Sequence, residues 1–214
     1  MKLYGYWRSS ASYRVRIALN LKGLEAEHIP VNLKSGGNFD PGFVAVNPER
    51  RMPVLDIPGV GALTQSLAIL DYLEETHPAP PLLPVDPLSR AEARGFAQVI
   101  ACDVHPLQNI RVLNRLRSLT GADKDTVRAW AIAAIEDGFA PLETIAAARS
   151  SAFLFDDAPG YAECCLTPQF YNARRFGVDL TPYPSLVAVD AACADLPAFQ
   201  AAHPDNQADA EKDG

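Results

Sequence analysis

Trp7-Arg8-Ser9-Ser10-Ala11-Ser12-Tyr13-Arg14-Val15-Arg16-Ile17-Ala18-Leu19 is the stretch from which the fold can be read. Just before it, Lys2-Leu3-Tyr4-Gly5-Tyr6 is short, apolar and aromatic, which predicts a strand. Beyond the serines, Val15, Ala18, Leu19 and Leu21 recur at three- and four-residue spacing, which predicts one face of a helix. The order strand, serine-rich turn, helix N-terminus gathers hydroxyls and backbone N–H groups beside the positive end of a helix dipole. Such a point stabilises an anion, a thiolate included. The plainer alternative has Ser12 capping the helix while Ser9 and Ser10 fill the turn.

Working outward, residues 1–78 alternate strands and helices. Glu27 to Val31 reads as a second strand and Pro41 to Val46 as a short helix or turn. Val54-Leu55-Asp56-Ile57 and Ala62-Leu63-Thr64 read as two strands about the turn Pro58-Gly59-Val60-Gly61. A helix from Ser66 to about Glu75 follows, with Leu67, Leu70, Tyr72 and Leu73 as its buried contacts. The order is β-α-β-α-β-β-α. The proline-rich run His77 to Pro84 interrupts regular structure, so a linker is placed at 79–88 and a second, all-helical domain at 89–214. There Ala91–Asn114, Lys124–Ala148 and Ala162–Phe176 carry apolar repeats of helical period. Pro106 is expected to kink or end the first of these, Pro168 to lie near the first turns of the third, and the chain from about Ala202 to be frayed.

Composition narrows the function. The 214 residues are 48% apolar and 21% charged, an ordinary globular mixture, and no apolar run approaches a membrane span. A net charge of −7 argues against nucleic acid or an anionic membrane as partner. The cysteines Cys102, Cys164, Cys165 and Cys193 lack zinc-site or CxxC spacing and two are adjacent. With no signal-peptide pattern at the N-terminus, they read as reduced thiols of a cytoplasmic protein, and no metal site is expected. Downstream, Gln65-Ser66 opens a helix at which the Ser66 hydroxyl and backbone N–H groups suit a carboxylate, with a plain N-cap as the alternative.

The runs WRSSASYRVRIALNLKG, NPERRMPVLD, TQSLAILDYLEE, ACDVHPLQNIRVL and TPQFYNARRFGVDLTPYP, in that order, resemble glutathione transferases of the zeta class. The resemblance spans nearly the whole chain, and the second-domain run is most similar to the bacterial maleylpyruvate isomerase branch of that class. It implies a thioredoxin-like first domain, a helical second domain, a homodimer and glutathione as cofactor. It also implies a cis bond at Met52-Pro53, with the Met52 backbone offered to the tripeptide. Activities of the class include isomerisation of maleylpyruvate and maleylacetoacetate.

On that resemblance, Ser9 and Ser10 are the donors to the glutathione sulfur, Ser10 being nearer the helix. Asn38, Met52, Pro53, Gln65, Ser66, Asp103, His105 and Asn109 are its further glutathione-binding positions. Arg8, Arg111 and Arg175 are the candidates for holding a dicarboxylate, since a guanidinium fork matches a carboxylate. Arg14 and Arg16 are instead read as surface arginines in solvated pairs. Two departures stand out: Ala11 replaces a cysteine many members carry, and Pro159-Gly160-Tyr161-Ala162-Glu163 replaces a Ser/Thr-x-x-Asp capping box. Two other functions fit much of the same pattern. One is conjugation or dehalogenation of small electrophiles, and the other is a non-catalytic glutathione-binding relative.

Overall fold

The computed structural model describes residues 1–211. The chain divides into two compact units, Met1–Leu82 together with the chain from Asp195 on, and Leu83–Ala194. The first unit holds β1 (Lys2–Gly5), α1 (Ser10–Leu21), β2 (Glu27–Pro30), α2 (Pro41–Val46), β3 (Val54–Ile57), β4 (Gly61–Thr64) and α3 (Ser66–Thr76). Its strands form one sheet in the order β2-β1-β3-β4, with β1 and β2 parallel and the other pairs antiparallel. This is a thioredoxin-like arrangement.

Alternation decides the layers. Leu3 pairs with Leu55, and Leu55 with Leu63, so these share one face. Tyr4 and Val54, one step along, pack on the other with Val31, Phe43, Val46 and Met52. Both faces are therefore covered. The β3–β4 turn closes with Val60 N–H donating to Ile57 O at 3.0 Å, and Gly59 supplies the φ of +78° that the turn requires.

The expectation for α1 needs correction. The helix is buried from Ser12 to Leu19, and Arg14 and Arg16 are 2% and 6% exposed. Neither is a surface arginine. Arg14 Nη1 donates to Ser66 Oγ at 3.2 Å, while Arg16 donates to the carbonyls of Trp7 and Ala202, both at 2.9 Å. A third buried cation sits at the helix C-cap. Lys22 Nζ meets Glu74 Oε2 at 2.8 Å and the carbonyls of His77 and Pro80 at 2.6 and 2.9 Å. The same Glu74 oxygen accepts from Leu82 N–H at 2.8 Å, so this pair ties α1, α3 and the segment after α3 together. In α3 the fully buried apolar residues are Ile69, Leu70 and Leu73, whereas Leu67 and Tyr72 are half-buried.

The chain from Asp195 also departs from expectation. Helix α10 (Pro197–Ala202) packs on α1, burying Phe199 and Ala202. Asn20 donates to Ala198 O at 2.8 Å. Past Ala202 the chain stays engaged: Gln207 Nε2 donates to the carbonyls of Ala201 and His203, and Asp209 meets His28 at 3.1 Å. The fraying expected from about Ala202 is thus absent through residue 211, and 212–214 lie outside the described residues.

The second unit contains α4 (Pro87–Gln98), α5 (His105–Gln108), α6 (Ile110–Thr120), α7 (Lys124–Ala147), α8 (Tyr161–Phe176) and α9 (Pro184–Ala194). Pro106 lies near the start of α5, and the first predicted helix is interrupted on either side of it. After α4 the backbone widens into a π-helical stretch, Val99–Val104, and α5 stops at Asn109, which turns extended. Gly138 of α7 lies so close to this stretch that a Cβ there would overlap Val104 Cγ2. Pro168 is mid-helix in α8 and buried, not in its first turns. Its packing offsets a lost backbone bond, and the helix runs through it. Phe139 stacks on Phe170 with centroids 4.9 Å apart and meets Tyr183 edge-on at 5.4 Å. Among the described residues no helix is long and apolar enough to cross a membrane.

At the start of α8, Gly160 has no side chain to offer, so only half a capping box forms. Glu163, 2% exposed, accepts from the N–H groups of Gly160 and Leu154, both at 2.7 Å. Burial pushes its carboxyl above the ordinary 4.5 in spite of these bonds. A raised folded pKa stabilises at low pH and is lost as pH rises through it. The unfolding free energy of wild type minus that of Glu163→Gln is therefore expected to fall as pH climbs from about 4.5 toward neutrality; a flat difference in urea titrations refutes this. At the other hub, Lys22→Met is expected to cost about 3–5 kcal/mol by stranding the buried Glu74 carboxylate. Lys22→Met/Glu74→Leu should be milder in the same titrations, and equal losses would contradict the pairing.

Candidate active site

The serine turn forms because the chain folds back at Tyr6, whose carbonyl accepts from Ser9 N–H at 2.9 Å. Ser9, extended at φ −68° and ψ 118°, is the N-cap of α1, and its Oγ accepts from Ser12 N–H at 3.2 Å. The plainer reading of the serines therefore had the wrong cap. Ser12 is fully buried inside the first turn. With an oxygen lone pair committed to Ser12, the Ser9 hydroxyl proton is directed to another acceptor. Ser10 is the first helical residue and 5% exposed, beside the positive end of the dipole. Arg8 is half-buried, its guanidinium 5.5 Å from the Trp7 ring centre.

A second helix start lies alongside. Arg14, one turn below Ser10 on α1, donates to Ser66 at the start of α3, which sets the two N-termini side by side. Ser66 is not the cap. That position belongs to Gln65, at φ +67°, and no side chain caps α3. A non-glycine residue in this sparsely populated region is strained, and such strain concentrates at binding sites. Gln65 Nε2 donates to Glu49 Oε2 at 3.0 Å, and Asn38 Nδ2 donates to Arg50 O at 3.4 Å. Both thus grip the loop before Met52-Pro53, whose peptide bond is cis. Asn47, 2% exposed, shapes that loop by donating to Arg51 O and accepting from Glu49 N–H. These bonds tie Asn38 and Gln65 to the loop before Met52-Pro53, and Ser66 to the helix that Ser9 and Ser10 begin.

In the second unit, Asp103 is exposed on the π-helical stretch and His105 opens α5, half-buried. Asn109 caps α6 by accepting from Arg111 N–H at 3.0 Å, which leaves the Arg111 side chain exposed on the first turn. Behind it, Gln108 Nε2 donates to Gln169 Oε1 at 2.6 Å in a buried pair. On α8 the two arginines part. Arg174 pairs with Asp190 at 2.6 Å, while Arg175 is exposed and donates to Asn172 Oδ1 at 3.1 Å. Asn47, Gln108 and Gln169 are residues that sequence reading passed over, and Arg14 is one it assigned to the surface. The signal for the two glutamines was their place in the quoted motifs.

Cys164, Cys165 and Cys193 are buried, and burial pushes the Cys193 thiol up, while Cys102 is exposed. All four belong to the second unit, so the serine turn has no cysteine thiol in its own unit. Among the described residues no group of His, Cys, Asp and Glu is arranged to hold a metal ion.

This geometry defines a class: a thioredoxin-like domain with a hydroxyl-lined helix start. Residues 1–75 match the family model of the glutathione S-transferase N-terminal domain. Maleylpyruvate isomerase of a Ralstonia species is 46% identical over 211 residues, covering 98% of this chain and 99% of that protein. A holo structure of a maleylpyruvate isomerase, described as a bacterial zeta-class glutathione S-transferase, aligns with a TM-score of 0.95 at 45% identity, over 99% of this chain and 100% of that one. Maleylacetoacetate isomerase of Methylobacterium extorquens AM1, solved with malonate and glutathione, aligns with a TM-score of 0.94 at 40% identity, over 99% and 100%. The chain belongs to the zeta-class glutathione S-transferases, in the family of the maleylpyruvate and maleylacetoacetate isomerases.

Proposed function

We infer that this chain is a glutathione-dependent cis–trans isomerase of a small unsaturated dicarboxylate, maleylpyruvate or maleylacetoacetate, in the breakdown of aromatic compounds. One observation carries the reading. A hydroxyl-lined helix start, set beside a second one by Arg14–Ser66, lies in a unit devoid of cysteine. Such a site suits a sulfur brought by a ligand. The relative solved with glutathione and malonate pairs this tripeptide with a dicarboxylate.

A free thiol of pKa about 8.5 is roughly 3% ionised at pH 7. Making the thiolate dominant takes about 2 units, or about 2.7 kcal/mol of preferential stabilisation. Hydrogen bonds from the Ser9 and Ser10 region together with the α1 dipole are of that size. The thiolate adds to the conjugated cis alkene, forming a carbon–sulfur bond and an enolate. The former double bond, now single, rotates. The enolate then re-forms the alkene in the trans geometry and expels the thiolate, so glutathione is regenerated.

Arg8, Arg111 and Arg175 are read as the guanidinium groups that hold the carboxylates and the enolate charge. The pairing of Arg174 with Asp190 supports Arg175, rather than its neighbour, in that role. Asn38, the Met52 backbone with Pro53, Gln65 and Ser66 are read as the grip on the tripeptide, joined by Asp103, His105 and Asn109. A reducing, cytoplasmic setting is part of the same reading, supported by four free thiols, and so is the homodimer that the resemblance implies.

Turnover of maleylpyruvate followed by absorbance, with glutathione assayed before and after, tests the proposal. Isomerisation leaves glutathione undiminished; its stoichiometric consumption would mark a conjugating enzyme instead. Ser10→Ala is expected to lower kcat/KM about 10- to 100-fold, the worth of one hydrogen bond to a charged group. Arg111→Ala and Arg175→Ala should each raise KM for the diacid about tenfold or more. Full activity in both arginine variants would remove them from the site.

A further inference from the structure

The turn carrying Ser9 and Ser10 hangs on Trp7, and the backbone of Trp7 is gripped at both ends by groups the mechanism leaves unused. Its N–H donates to Asp209 Oδ2 at 3.2 Å, and its carbonyl accepts from Arg16 Nη2 at 2.9 Å. Arg16 reaches with Nε to Ala202 O at 2.9 Å, so one buried guanidinium joins the turn to the returning chain. The other Asp209 oxygen lies 3.1 Å from His28 Nε2, both side chains being about one-fifth exposed at 17% and 22%. His28 is itself fixed by β2, in register with Leu3 and against Gly5 of β1. A continuous set of contacts therefore runs from the sheet through His28, Asp209 and Trp7 to the cap of α1.

We propose that Asp209, oriented by His28, is a positioning residue for the isomerisation: it fixes the Trp7 backbone and thereby the hydroxyls of Ser9 and Ser10 against the glutathione sulfur. This rests on the serine turn being the thiolate site. Hydrogen bonds weaken steeply with misalignment, and a displacement of about 1 Å costs on the order of a hundredfold in rate. Asp209 sits more than 190 residues from the serines in sequence, yet it holds the N–H two positions before Ser9. The charged groups around it are His28 from β2 and Arg16 from α1, with Lys34 and Glu211 paired to one another nearby.

Position and charge make opposite predictions. Removing a nearby negative charge would favour the thiolate, whereas releasing the turn disfavours it. The full-length protein with bound glutathione is titrated by the ultraviolet absorbance of the thiolate, alongside the pH dependence of kcat/KM and the Tm. Asp209→Ala is expected to raise the thiol pKa by about one unit, a tenfold loss of kcat/KM on the acid limb. Asp209→Asn keeps an acceptor for Trp7 N–H and should stay within about twofold of wild type.

A thiol pKa that is unmoved or lowered in Asp209→Ala, with Ser10→Ala still raising it, overturns the role of Asp209 and leaves the serine site standing. A lower Tm alone, without that shift, does the same. If neither variant moves the pKa of bound glutathione, the serine turn is not the thiolate site and both readings fall. Should Asp209→Ala not fold, His28→Ala leaves the carboxylate present but unoriented, and is expected to shift the pKa in the same direction; an unmoved value overturns the proposal.

Discussion

A helix that carries cations into an apolar interior must provide each with an acceptor, and α1 does this with different parts of the chain. Arg14 is met by the start of α3, Arg16 by the Trp7 carbonyl and the returning segment, and Lys22 by Glu74 and the carbonyls beyond α3. An unpaired buried charge is worth several kcal/mol of instability, so these contacts fix the axial position and rotation of α1. Ser9 and Ser10, the hydroxyls on which the proposed function rests, sit at the N-terminus of that helix.

The site uses fields more than side-chain bases. Two helix starts side by side concentrate positive partial charge, and the Ser9 cap turns an ordinary structural bond into a device that aims a hydroxyl proton. Ala11, where relatives of the resemblance carry cysteine, fits the same economy, since an isomerase needs the sulfur of glutathione and no second one. The strained backbone at Gln65 leaves the start of α3 without a side-chain cap.

Much of this was legible from local pattern. The strand at Val54–Ile57, the turn at Gly59, the helix Lys124–Ala147 and the irregular helix around Pro106 follow from periodicity and from the backbone limits of glycine and proline. Arg14 and Arg16 were not legible, because charge on a helix reads as a solvated face unless the helix is covered on every side. Choosing Ser9 over Ser12 as the cap needed the bond from Ser9 N–H to Tyr6 O, which sets where the helix begins. Helices α9 and α10 carry small apolar residues with weak period, and Pro168 is held mid-helix by packing that a pattern does not encode.

By itself the sequence determined the element order of the first unit, the helical nature of the second and the family, since each rests on short-range backbone preferences or contiguous motifs. Only the tertiary structure decided which arginines are buried, which serine caps, and that the segment after Asp195 returns to the first unit. Those outcomes depend on acceptors supplied from residues far away along the chain. A hydrogen-bonding or charged side chain does not announce its partner; the fold assigns it.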